Sequence, residues 1–128
     1  MIHLTAPFAG VLGLLLVALS LNVVRHRRRA RVSIGDGADR GLEQAIRTQA
    51  NCAEYAPIGI VALALVELSD GAAWMVVTLG LMLVTGRVMH AYGFGRTPQI
   101  MILRQLGMVL TLTMLALSAI WLLIAPLI

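Results

Sequence analysis

The chain has 128 residues, 59% of them hydrophobic and 12% charged, with a formal net charge of +4. A composition so apolar in so short a chain excludes a soluble domain and describes one small membrane unit. Every cation is an arginine, and the single cysteine, Cys52, excludes an internal disulfide and a cysteine-pair metal site.

Residues 4–24 carry no charge and are long enough as a helix to cross a hydrocarbon core of ~30 Å. A cleaved signal peptide fits poorly, because the positive charge follows the apolar run and does not precede it. The basic cluster Arg25-His26-Arg27-Arg28-Arg29-Ala30-Arg31 then closes this first crossing. Such clusters hold a segment at the cytoplasmic face and attract anionic lipid. Without interleaved aromatics, and abutting a membrane span, the cluster does not describe a nucleic-acid surface.

Gly35-Asp36-Gly37 reads as a turn and Asp39 as the N-cap of a second helix, with Glu43 near the positive end of its dipole. A helix over residues 40–69 is ~45 Å long, so its first turns project into the headgroup zone. Pro57 should bend it. Two acids, Glu67 and Asp70, mark the next turn, and Trp74 is placed as an interfacial anchor for a third helix over residues 72–92. The run Tyr92-Gly93-Phe94-Gly95-Arg96-Thr97-Pro98 reads as a glycine-punctuated turn into a fourth helix over residues 99–123. Arginines fall only in alternate connections, which predicts an all-α bundle of four transmembrane helices with both termini on the non-cytoplasmic side.

The chemistry gathers at the arginine-rich rim. On a helix, Arg47, Asn51 and Glu54 lie at relative angles of about 0°, 40° and −20°, on one face. Tyr55 follows them, and Arg87, His90, Tyr92, Arg96 and Arg104 come from the second rim segment. Guanidiniums suit carboxylates, a glutamate suits an ammonium and an asparagine suits an amide, so the set fits a small polyanion bearing an amine, such as the tripeptide glutathione. Plainer roles stay open: Arg47 and Arg104 as snorkelling anchors, Glu54 as the neutralising partner of Arg87, and Asn51 as an interhelical hydrogen-bonding residue. A lone His90 is a weak metal candidate, and no ligand-spaced metal cluster is present in the sequence.

The signature Arg47-x-Gln49-x-Asn51-Cys52-x-Glu54-Tyr55-x-Pro57, with Gly86-Arg87, His90, Arg96 and Gln99 downstream, resembles the MAPEG family. It is most similar to the microsomal glutathione transferase and leukotriene C4 synthase branch. The resemblance covers nearly the whole chain. It implies a homotrimer with glutathione as co-substrate between neighbouring subunits at the cytoplasmic side, and a lipophilic electrophile entering from the bilayer lipids. It places Arg47, Gln49, Asn51, Glu54, Tyr55 and His90 on glutathione, together with Arg25 or Arg27 of the first basic cluster. Met101 stands where the synthase carries its thiol-activating arginine. Arg104, three residues on, is the expected substitute, with Arg96 second. Two further readings are a non-catalytic membrane scaffold or lipid-binding protein, and a small four-helix exporter. The exporter expects a membrane-embedded acid in the first helix, and residues 4–24 have none.

Overall fold

The computed structural model describes residues 2–127. Four helices, α1 (Thr5–Ala30), α2 (Arg40–Leu68), α3 (Ala73–Gly95) and α4 (Met101–Ile124), are followed by the 3-10 turn Ala125–Leu127. Each helix is long and apolar enough to cross a membrane, and together they form a four-helix membrane bundle.

Local chemistry sets the helix ends. Asp39 caps α2 by accepting from the Leu42 backbone N–H at 2.8 Å, after a turn in which Gly35, Gly37 and Ala38 adopt positive φ. The first helix runs on through the basic cluster to Ala30, and the left-handed Arg31 stops it. Arg27 turns back to donate to the Gly35 carbonyl at 2.8 Å, so this arginine braces its own loop. Of the segment read as a glycine-punctuated turn, residues 92–95 are instead the last turn of α3, which continues to Gly95, and residues 96–98 form the turn. Gly93 is a packing residue there: a Cβ on it would stand 2.7 Å from the Arg104 backbone nitrogen. The same close approach recurs one level deeper, where a Cβ on Gly107 would come within 2.5 Å of the Gly86 carbonyl oxygen. Small residues on both helices thus let α3 and α4 pack backbone to backbone. The fourth helix starts at Met101, past the Thr97-Pro98 bond.

At the opposite end, α1 has no side-chain cap of its own. Glu67, in the last turn of α2, supplies one from across the bundle. Its carboxylate accepts from the backbone N–H groups of His3, Leu4 and Thr5 at 2.8–2.9 Å and from the Thr5 hydroxyl at 2.7 Å. This acid is therefore a structural anchor and more than a turn residue. Trp121 donates to the Ser69 hydroxyl at 3.0 Å, tying α4 to the α2–α3 connection.

The core, including Leu12, Leu63, Val66, Val76, Leu83 and Met114, lies between α2 and α3 with α1 and α4 flanking them. Among the described residues no Cα of α1 comes within 8 Å of one of α4.

Candidate functional site

A cleft of about 410 Å³ opens at the arginine-rich end between α2, α3 and α4. Its walls are Arg47 and Asn51 from α2, His90 and Phe94 from α3, and Met101, Arg104, Gln105 and Met108 from α4. Helical periodicity brings each set to one face: Arg47 and Asn51 are four apart, as are His90 and Phe94, and Met101, Arg104, Gln105 and Met108 follow a three-four spacing.

Arg104 is fixed on the wall and does not trail into solvent. Its guanidinium lies 4.1 Å from the centre of the Phe94 ring and donates to the Gln99 side-chain oxygen at 2.9 Å. His90 is 4% exposed, with its ring edge-on to Phe94 at 5.7 Å. Met101 lines the same cleft as Arg104, so the two are neighbours on one face of α4.

The other expected residues lie elsewhere. Arg96 folds over the Tyr92 ring at 4.4 Å and donates to its hydroxyl, outside the cleft walls. Glu54 is exposed on α2 and does not line the cleft, and Gln49 is half-buried outside it. Tyr55 faces Arg87, with the guanidinium 5.2 Å from its ring centre. Arg25 lies with Leu21, Val24, Arg28 and Arg29 on an open shelf of α1, while Arg27 is engaged by its loop. Neither Arg25 nor Arg27 lines the cleft that holds Arg104.

Arg87 is the deepest charge in the bundle, 1% exposed. It donates to the Asn51 side-chain oxygen at 2.7 Å and to the Thr111 hydroxyl at 2.9 Å, and reaches toward the Met108 sulfur at 3.9 Å. Pairing of Arg87 with Glu54, one of the readings open from the sequence, is not what the structure shows. Among the described residues no acid pairs with Arg87. Sequence spacing also missed Gln44. Its amide nitrogen donates to the carbonyls of Phe94 and Arg96, and its oxygen accepts from Thr97 at 3.1 Å. Gln44 therefore caps the end of α3 from α2 and fixes the rim turn beside the cleft. Its one legible signal was being polar a turn before Arg47 and Thr48.

The cleft walls carry cations and amide or imidazole groups and no carboxylate. Such a lining accepts an anion and orients it by hydrogen bonds. No group of three or more His, Cys, Asp or Glu able to hold a metal occurs among the described residues.

The comparisons with known proteins agree with this architecture. The family model for the MAPEG family matches residues 5–125. The chain is also similar to a protein named "Inner membrane protein YecN" from Escherichia coli strain K12, with 43% identity over 90 residues, covering 70% of this chain and 69% of that protein. The YecN of E. coli O6:H1 strain CFT073 matches equally well. A match across so much of the four-helix bundle makes this multi-pass membrane protein a member of the MAPEG family.

Proposed function

We propose that the protein binds glutathione at the arginine-rich rim and uses its thiol on lipophilic electrophiles, as a glutathione transferase or glutathione-dependent peroxidase. The observation that carries this reading is the convergence of Arg47, Asn51, His90 and Arg104 on one anion-accepting cleft in a chain of this family. Arg47 is placed for a ligand carboxylate, and Arg104, fixed against Phe94, for the thiol. Positive potential in a partly dehydrated cleft favours the thiolate over the thiol, whose proton passes to water. The thiolate then attacks an electrophile that reaches the cleft from the bilayer. Glu54, on the same α2 face but open to the outside of the subunit, is placed to meet the ammonium.

The cleft is half a site. Arg25 stands exposed on α1 and does not line the cleft of its own subunit. A homotrimer would set α1 of one subunit against α2 and α4 of the next, with Arg25 closing the neighbour's cleft. Arg27, engaged by its loop, would stay out. The rim would face the cytoplasm and both termini the other side, with anionic lipid at the basic cluster.

Met101 in the cleft wall, in place of an arginine, favours a second reading: a scaffold that binds the tripeptide or a lipid without activating a thiol. Titration of glutathione into the detergent-purified protein tests the first claim. Saturable binding, weakened about tenfold or more by Arg47→Ala, is expected. Absence of binding to the folded protein would overturn it.

A further inference from the structure

We propose that Arg87 is a positioning residue for the cleft. It turns the Asn51 amide so that the oxygen points into the bundle and the NH2 group toward the ligand. The ligand group met by the Asn51 NH2 is then an acceptor: a carboxylate, thiolate or carbonyl oxygen. This deepens the glutathione reading and rests on it.

The orientation follows from donor chemistry. A guanidinium has five N–H donors and no acceptor, so the atom of Asn51 that lies 2.7 Å from it must be the oxygen. The rest of the network is directional in the same way. Thr111 donates its hydroxyl proton to the Gly107 carbonyl at 2.9 Å, leaving its lone pairs to accept from Arg87 Nε. Tyr55 faces the guanidinium at 5.2 Å. Gly86 makes room for this arrangement, because a Cβ there would stand 2.7 Å from the Thr111 hydroxyl. Arg87 therefore has two firm acceptors and a ring, but no counterion among the described residues.

A cation about 12 Å inside the end of a membrane helix, without an acid, is costly and marks function more often than packing. Asn51 and Met108 both touch Arg87 and both line the cleft, so the charge stands directly behind the wall. Arg47, Arg104 and the Asn51 NH2 then offer the cleft donors and no acceptor of their own. An anionic ligand group supplies the missing countercharge through Asn51. Asn51 thus meets the ligand through the NH2 half of its amide.

Asn51→Asp separates the alternatives because it keeps shape and keeps an acceptor for Arg87, while replacing the inward NH2 with an anionic oxygen. Glutathione titration into the detergent-purified protein should show Asn51→Asp binding at least tenfold more weakly than the parent. Unchanged or tighter binding would mean that Asn51 offers its oxygen to the ligand, and would overturn the proposal while leaving glutathione binding intact. Arg87→Lys, which keeps charge and a donor, should recover part of the affinity lost in Arg87→Met. Equal affinity in the two would also overturn it.

A ligand-free measurement holds the inference to account even if the parent binds no glutathione. In thermal unfolding, Asn51→Asp should leave the melting temperature equal or higher when Arg87 is present, because an ion pair forms. It should lower the melting temperature in the Arg87→Met background, where the acid is buried alone, and Arg87→Gln serves if Arg87→Met does not fold. The same sign in both backgrounds would show that Arg87 does not hold the Asn51 oxygen.

Discussion

Arg104 carries its guanidinium 4.1 Å from the centre of the Phe94 ring. A snorkelling arginine would extend away from the bundle, whereas this one is folded onto α3 and lines the cleft. Arg96, eight residues earlier, is folded onto Tyr92 outside it. The two arginines are thus separated by structure, which makes their substitutions informative as a pair. Arg104→Ala should raise the pKa of the bound glutathione thiol and lower kcat by about a hundredfold, with a small change in affinity. Arg96→Ala should leave the thiol pKa unchanged. Thiolate absorbance titrated against pH in both variants checks this, and matching curves would remove Arg104 from the chemistry.

Gln44→Leu should lower stability by roughly 1–2 kcal/mol, since it leaves the Phe94 and Arg96 carbonyls without their donor. The rim turn should loosen first. Hydrogen exchange over residues 94–99 is the appropriate readout, with faster exchange expected there and little change in the buried half of α3.

Glu67→Gln, although remote from the cleft, should lower the melting temperature, because the carboxylate gathers three backbone N–H groups and a hydroxyl at the start of α1. Glutathione affinity of the folded fraction should not change. Glu54→Gln should do the reverse, leaving the melting temperature near that of the parent and weakening glutathione. Thermal unfolding beside ligand titration distinguishes the two acids, and a melting loss in Glu54→Gln with none in Glu67→Gln would contradict the structure.

Gly107→Ala should cost about 1–3 kcal/mol, because its methyl would meet the Gly86 carbonyl and the His90 backbone nitrogen at 2.5 Å. A conservative-looking change of one methyl group would then push α4 off α3 and open the cleft. Gly10→Ala, where nothing stands within 4 Å of the added carbon, is the matched control and should unfold like the parent.

The membrane spans were legible in the sequence because uncharged run length is a local property, and so was the Asp39 cap, which acts three residues away. The face shared by Arg47 and Asn51 was legible for the same reason, since periodicity places both on one side of α2. Contacts between helices were not. Asn51 and Arg87 are 36 residues apart, Gln44 and Arg96 52, and Glu67 and Thr5 62. No spacing rule says that Arg87 chooses Asn51 over Glu54, or that Glu67 serves the first helix. In the sequence Gly93 reads as punctuation, Gly86 as part of the family signature, and Gly107 carries no signal. A glycine in a membrane helix has the same letter whether it ends the helix or admits a neighbour's backbone.

The proposed trimer gives a test by complementation. Arg25→Ala subunits keep an intact cleft but lack the α1 arginine, and Arg104→Ala subunits have the opposite defect. If Arg25 serves the next subunit, each mixed trimer should regain activated thiol in one of its three sites, or roughly a quarter of all sites when equal amounts assemble at random, since each site draws on two neighbours. No recovery in co-purified mixed oligomers would place each site within one subunit.

The most direct test is the ultraviolet absorbance of glutathione thiolate on mixing the tripeptide with detergent-purified protein at neutral pH. A saturable thiolate signal is expected well below the pKa of a free thiol, about 8.5, and it should disappear in Arg104→Ala and persist in Arg96→Ala. Glutathione that binds but stays protonated up to that pKa would contradict thiol activation and leave the protein a binding scaffold. Glutathione that does not bind at all would contradict the account at its centre.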